Sequence, residues 1–310
     1  CSYANPLMQT VDLWGNYARH CRNCARVMSK TAKYIDEAIV LFAAKAGATT
    51  QVQPSAVDLL GGYFTRAECA RLFVRNPSVG ELASIKILLE LRAAADRDPV
   101  PSSRAATMAA FTAGLRALPE PTDEKKGGGL RPDIYITNPF RERPKSILVD
   151  HFVSSITQWP KMAEQLAHSL AFRARQAEAR RVNGVFDKLA PPKILISRKA
   201  EKVKKYAPLL SALKLQFTRG TRDDDPTFIA AGLTTSGFHS TEFVQVQEFL
   251  VSTYRDKLML EGPRDDGREF SNILAEFRKD FRSTIQGIIA RGNAIGQRSA
   301  GLPFSRRRLG

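Results

Sequence analysis

The fold of this chain is decided by residues 131–153, which read RPDIYITNPFRERPKSILVDHFV. Apolar residues alternate or cluster at both ends of this stretch, whereas Asn138, Pro139 and Pro144 interrupt its middle. Alternating apolar runs separated by turn residues predict two short β-strands joined by a turn. Asp133 then lies near the end of the first strand and Asp150 near the end of the second.

Two aspartates placed in this way can hold a divalent metal ion. A carboxylate that ends an apolar strand is costly to bury unless a metal, a cation or water neutralises it. Because side chains alternate along a strand, Asp150 and Phe152 share one face and His151 points to the other. Capping of the following loop is the structural alternative for both aspartates.

The composition indicates a globular protein with a polyanionic partner. The 310 residues, 43% of them hydrophobic, suffice for a full core. A net charge of +16 exceeds what solubility requires, and such an excess usually indicates nucleic acid. A basic ribosomal protein or a membrane-surface protein would share this composition.

The sequence also bears on location. It has neither an apolar run of about 20 residues nor an opening signal peptide, so we expect a soluble, intracellular protein. Four cysteines, three of them within the first 24 residues, favour metal binding in a reducing compartment over disulfides. Because the chain opens at Cys1, we expect it to be part of a longer polypeptide.

The first 24 residues contain a candidate zinc site. His20 and Cys24 have the H-x3-C spacing that lets an imidazole and a thiolate reach one tetrahedral zinc ion. Cys1 is a third candidate ligand, and either Cys21 or a cysteine upstream of the chain would be the fourth. The alternative is that these are ordinary small buried residues.

Helical periodicity predicts several elements before the central stretch. Residues 25–45 form an amphipathic helix that contains Glu37, which is either an exposed partner of Lys33 or a contributor to a metal site. An edge strand over 49–57 follows. Alanine and leucine patterns then predict helices over 65–75, 79–95 and 103–118, with a polar linker at 119–129.

The region after the central stretch is the most basic part of the chain. A helix over 161–181 and another over 201–213 are expected to contact phosphates, although a solvated face is the alternative. The basic candidates are Arg173, Arg175, Arg180, Arg181 and Lys204. Strands are predicted over 191–197, 214–218 and 227–235, and helices over 241–254 and 270–290. The acidic turn at 223–225 is expected to be solvated.

The order of these motifs resembles the C-terminal region of non-LTR retrotransposon proteins with a restriction-like endonuclease of the PD-(D/E)xK class. That family has a zinc knuckle, D-x-x-G…H-x3-C, and this chain matches it with Asp12, Gly15, His20 and Cys24. The family's R-P-D and V-D strand motifs match residues 131–133 and 149–150. Its K-x-x-K-Y helix matches Lys202, Lys205 and Tyr206, and its R-G-N-A motif matches 291–294.

The resemblance implies an α/β (α+β) fold with a restriction-endonuclease-like core. That core would be a small mixed sheet flanked by helices, with a zinc-knuckle-like segment and a helical insertion. The implied division is 1–24 for the knuckle, 25–58 for the start of the core, 59–129 for the insertion and linker, 130–260 for the core, and 261–310 for the last helix and a basic tail.

The resemblance also implies an activity. Asp133 and Asp150 would bind Mg²⁺ or Mn²⁺, and the domain would nick DNA in the nucleus beside an upstream reverse transcriptase of the same polyprotein. The general nuclease pattern has a lysine where this chain has Phe152, so Lys205 or Lys202 would replace it. That departure, with His151, keeps two alternatives open: an inactive nucleic-acid-binding protein and a basic subunit of a ribonucleoprotein.

Overall fold

A computed structural model describes residues 25–73, 77–119, 130–154, 193–234, 239–262 and 267–299. These ranges contain both helices and short strands, which confirms a mixed α/β class. The elements in chain order are α1 (Ala25–Lys45), β1 (Thr49–Val52), α2 (Ala56–Leu59), α3 (Arg66–Leu72), α4 (Val79–Arg97), α5 (Pro101–Ala117), β2 (Ile134–Asn138), β3 (Lys145–Val149), β4 (Phe152–Ser154), α6 (Lys193–Thr218), β5 (Thr227–Ile229), β6 (Gly232–Thr234), α7 (Thr241–Leu260) and α8 (Gly267–Ser299).

The chain divides into two compact units. The first contains Cys1–Ala46, His151–Lys199 and Ala230–Gly310, and the second contains Gly47–Asp150 and Ala200–Ile229. These bounds differ from the predicted segments. The boundary after Ala46 falls within 25–58, which was predicted as the start of the core. The boundaries after Asp150, Lys199 and Ile229 fall within 130–260, which was predicted as the rest of the core.

The second unit is built on a four-stranded mixed sheet with the strand order β1-β2-β3-β5. The predicted hairpin is confirmed, because β2 and β3 are antiparallel neighbours in which Ile136 lies opposite Ile147. β1 pairs antiparallel with β2, and β5 pairs parallel with β3. The predicted edge strand is also confirmed in β1, although it ends at Val52 because Ser55 begins the short helix α2.

Helices α2, α3 and α4 each begin with a capping box. Ser55, Thr65 and Ser78 accept a hydrogen bond from a backbone N–H one turn later, and an acidic side chain returns a bond to the cap. The helical block predicted as an insertion packs into the same core as the sheet and α6. The largest members of that core include Phe64, Phe73, Phe111, Leu148, Tyr206 and Leu209.

Among its described residues, the first unit contains the helices α1, α7 and α8, which pack on one another, and a two-stranded parallel sheet of β4 and β6, against which α7 packs. The ring of Phe42 on α1 meets the rings of Phe277 and Phe281 on α8 edge to face, at centroid distances of 5.4 and 5.2 Å. The Ser240 hydroxyl caps α7 and also accepts the N–H of Gly232, which joins that helix to β6.

Two predicted strands are wrong, and the last helix extends beyond its predicted end. Residues 193–197 of the strand predicted over 191–197, and the whole strand predicted over 214–218, lie in the single helix α6. The buried residues Leu209, Ala212, Leu213 and Gln216 recur at helical spacing, and the polar Gln216 hides this stripe in the sequence. The R-G-N-A segment does not end the last helix, since α8 continues to Ser299. No helix in the described ranges is long and apolar enough to cross a membrane.

Candidate functional site

The second unit places Asp133 and Asp150 opposite one another. The last ladder pair of β2 and β3 is Ile134 with Val149, and the two aspartates occupy the next positions outward. Directly opposed residues of an antiparallel pair point to the same side, so both carboxylates project from one face at one end of the hairpin. Tyr135 and Leu148, the opposed pair two positions further in, lie on that same face.

Neighbouring strands fix the backbone at both aspartates. The N–H of Gln53, just after β1, donates to the carbonyl of Asp133 at 2.7 Å. The N–H of Asp150 donates to the carbonyl of Ile229 on β5 at 3.1 Å. The two carboxylates are therefore held by a continuous ladder across all four strands.

Helix α6 brings two lysines to Asp150. The ammonium of Lys202 lies 2.8 Å from Oδ1 and 2.9 Å from Oδ2 of Asp150. The ammonium of Lys205 lies 4.0 Å from Oδ2. Residues three apart share one face of a helix, so the K-x-x-K spacing is what allows both side chains to reach one carboxylate.

Tyr206, the next residue, anchors this part of α6. It is buried, its hydroxyl donates to the carbonyl of Arg131 at 2.8 Å, and it accepts a hydrogen bond from Lys205 at 3.2 Å. Its ring lies 4.8 Å from the ring of Phe228 on β5 and 4.6 Å from the Lys205 ammonium. Tyr206 thus connects three parts of the unit: the backbone at Arg131, two residues before Asp133; strand β5; and Lys205.

The electrostatics of the pair favour a bound cation. Burial raises the pKa of Asp150, the negative charge of Asp133 raises it further, and Lys202 opposes both effects. Two close carboxylates, one of them almost fully buried, are hard oxygen donors of the kind that Mg²⁺ and Mn²⁺ prefer. The donor set therefore fits a hard divalent ion.

The remaining predicted site residues have other positions. Glu37 is exposed and its carboxylate lies 3.7 Å from the Lys33 ammonium one turn away, as the ion-pair interpretation predicts. Lys204 is exposed on α6. The zinc candidates and the arginines of the basic helix lie outside the described residues: Cys1, His20, Cys21, Cys24, Arg173, Arg175, Arg180 and Arg181.

The two residues after Asp150 belong to the first unit, and both are packed there. His151 is buried, with Nδ1 3.1 Å from Oδ1 of Asp36 on α1, a partner that nothing in the sequence pattern singles out. The ring of Phe152 packs over Gly232 so closely that an added Cβ would lie 2.9 Å from it. An aromatic residue fills the position where the nuclease pattern has lysine.

The acidic turn contains a buried carboxylate, so the prediction that it is solvated is wrong for Asp224. Ser146 and Tyr135 donate to this carboxylate, and Arg222 lies 2.7 Å from its Oδ1. Burial would raise the pKa of Asp224, but these three partners outweigh it and hold the pKa below its usual value. No spacing rule links residues almost eighty positions apart, so the sequence pattern could not reveal this network.

Cys69 is not a metal ligand candidate. It is the one cysteine within the described ranges, and it is fully buried in the helical block. Burial raises the pKa of its thiol to about 12. Among the described residues, Cys69 does not belong to a group of His, Cys, Asp or Glu side chains that could hold a metal ion.

No family model, curated protein or solved structure matches this chain. Its chemistry must therefore be inferred from the two opposed aspartates and the lysines of α6.

Proposed function

We propose that the second unit is a metal-dependent endonuclease core that hydrolyses phosphodiester bonds and nicks DNA. The observation that carries the proposal is the opposed pair Asp133 and Asp150, with Lys202 and Lys205 projecting toward it from one helix face. The pair supplies oxygen ligands for a divalent ion, and the lysines supply positive charge for a phosphate. The net charge of +16 suits the same substrate class.

Each side chain has a distinct task in this proposal. Asp133 and Asp150 hold Mg²⁺ or Mn²⁺, which when bound activates water and offsets charge on the scissile phosphate. Lys205 stabilises the charge that develops on the phosphate oxygens, because Tyr206 holds its ammonium close to the carboxylate pair. Lys202 neutralises Asp150 in the free protein.

The resemblance to retrotransposon endonucleases extends this proposal. On that basis the carboxylate pair belongs to a restriction-like core, and a zinc site within residues 1–24 would help to position the DNA. The protein then acts in the nucleus, where an upstream reverse transcriptase uses the nicked end as a primer.

Plasmid nicking tests the activity. Supercoiled plasmid is incubated with Mn²⁺ and either the parent chain, Asp133→Asn or Asp150→Asn, and nicked circles are measured over time. We expect each substitution to lower the nicking rate by at least about a hundredfold, since each removes a ligand charge. Glu90→Gln, which changes an exposed carboxylate on α4 that pairs with Lys86, is the matched control and retains the parent rate.

The competing function is nucleic-acid binding without cleavage. The Phe152 position favours it, because the lysine of the general pattern is missing there. Equal nicking by the parent and by Asp150→Asn would reveal a contaminating nuclease and reject the catalytic proposal. DNA binding by a parent chain that never nicks would support the competing function.

A further inference from the structure

Lys202 covers the carboxylate that the proposed function assigns to the metal. Its ammonium contacts both oxygens of Asp150, at 2.8 and 2.9 Å. The Asp150 side chain is only 4% exposed, whereas that of Lys202 is 26% exposed. An ammonium in contact with both oxygens occupies the space from which a cation would bind that carboxylate in a bidentate manner.

Lys205 does not cover Asp150 in this way. Its ammonium lies 4.0 Å from one oxygen, donates to the Tyr206 hydroxyl and lies over the Tyr206 ring. Lys205 therefore has a second anchor that holds it beside the pair. Within the part of the chain that the structure describes, the Lys202 ammonium contacts Asp150 alone. The two lysines of one helix face differ in their geometry toward the same carboxylate.

We propose that Lys202 is a resident cation that a divalent metal ion must displace from Asp150. This inference rests on the proposed function, because it concerns the same carboxylates. Two cations cannot share both oxygens of Asp150 without strong repulsion. Lysine has a flexible four-carbon stem, and Lys202 is partly exposed, so its ammonium can rotate away toward solvent or a bound phosphate.

In this proposal Lys202 competes with the metal ion for Asp150 and, once displaced, contributes to substrate binding. In the free protein, Lys202 limits the destabilising charge of the buried pair. Once the metal replaces it, the released ammonium is available to a phosphate oxygen. Metal occupancy would thus regulate when this part of α6 presents its positive charge to DNA.

The test measures Mn²⁺ binding to the full chain without DNA, by electron paramagnetic resonance of free Mn²⁺ at about pH 8, where protons compete weakly for carboxylates. Lys202→Met removes the competing ammonium, so we expect Mn²⁺ to bind at least about tenfold more tightly than to the parent. Lys202→Gln also removes the charge but keeps a hydrogen-bond donor for Asp150. It should show the same direction of change, and it replaces the methionine variant if that variant does not fold.

Two other lysines of α6 are the controls. Lys205→Met removes an equal charge beside the same carboxylate, but from 4.0 Å and from one oxygen only, so we expect a smaller gain in Mn²⁺ affinity than from Lys202→Met. Lys214→Met removes an exposed charge twelve residues further along α6, about 18 Å away, and should leave the affinity unchanged.

The outcomes separate this inference from the proposed function. Tighter binding in both Lys202 variants, even where the parent binds no measurable Mn²⁺, supports displacement. Parent-like affinity or weaker binding in the Lys202 variants overturns it while leaving the proposed function intact, provided that Asp150→Asn abolishes the parent's binding. If neither the parent nor the Lys202 variants bind Mn²⁺, both the inference and the proposed function are rejected.

Discussion

Asp224 shows how one buried carboxylate joins distant parts of the second unit. It accepts hydrogen bonds from Ser146 on β3 and Tyr135 on β2, and it pairs with Arg222. Arg222 also donates to the carbonyl of Leu59 at the end of α2. A buried charge with this many partners is stabilising only while all of them are present.

We expect Asp224→Asn to lower the free energy of unfolding by about 3 kcal/mol at neutral pH, because Arg222 would lose its buried counter-charge. The pKa of Asp224 is held below its ordinary value, so its charge stabilises the fold above the pKa of the unfolded chain. That contribution is lost as the pH falls through the lower folded-state pKa. The difference between parent and variant should therefore shrink in acid, which urea unfolding at several pH values would measure.

Asp225→Asn is the control for this prediction. Asp225 is the exposed neighbour of Asp224, and removing its charge should change the free energy of unfolding by less than about 0.5 kcal/mol. A constant difference between the parent and Asp224→Asn across the whole pH range would show that the charge of Asp224 is not the cause.

At the scale of elements, the sequence predicted most helices and the central hairpin because their periodicity is undisturbed. The prediction failed at the two ends of α6. Residues 193–196, KILI, form a short apolar run that fits a strand or a buried helix equally well. Near the other end, Gln216 is buried because its amide donates to the carbonyl of Leu60, a tertiary bond that periodicity does not encode.

The hydrogen-bonded cap of α4 was predictable from local sequence. Ser78 accepts the N–H of Glu81, and Glu81 returns a bond to the N–H of Ser78, as the S-x-x-E spacing favours. We expect Ser78→Ala to lower the free energy of unfolding by about 1 kcal/mol, since it leaves an N–H of the first turn unsatisfied. Thermal and urea unfolding would measure this loss.

Ser84→Ala provides a matched comparison on the same helix. The Ser84 hydroxyl donates to the carbonyl of Gly80, which already belongs to the helix, and the residue is exposed. Its removal should change the free energy of unfolding by only a few tenths of a kcal/mol. Equal losses from Ser78→Ala and Ser84→Ala would contradict a specific role for the cap.

At the scale of the whole molecule, the site residues come from distant parts of the sequence. The sequence placed Asp133 and Asp150 on neighbouring strands, but α6 approaches them from 52 residues beyond Asp150. Hydrophobic periodicity could not show that α6 lies beside the two aspartates, because this position depends on the tertiary packing of Tyr206 and Leu209 against the sheet. The resemblance to retrotransposon endonucleases is what singled out Lys202 and Lys205.

The helical block also contributes to the core that positions α6. Residues 59–118 were predicted as an insertion, yet Phe111 on α5 is fully buried in the core that also contains Leu148 and Tyr206. Removal of this block would expose the face of α6 that positions the lysines. The block is therefore part of the scaffold of the candidate site rather than an independent appendage.

The net charge of +16 leads to the last prediction, which concerns DNA binding by the whole chain. Binding that neutralises about six phosphates should weaken by roughly a thousandfold between about 50 and 200 mM salt, because counterions are released. Fluorescence anisotropy with labelled duplex DNA would give the slope of log affinity against log salt. Lys204→Met removes an exposed charge from α6 and should make the slope less steep by about one.

Lys86→Met separates a local contact from the effect of net charge. Lys86 is exposed on α4 and lies 4.0 Å from Glu90, so this substitution lowers the net charge by the same amount at a different place. We expect it to leave the salt slope unchanged, since only charges that lie against DNA release its counterions. Equal changes from Lys86→Met and Lys204→Met would show that α6 has no special part in binding. Affinity independent of salt would show that the positive charge serves another partner.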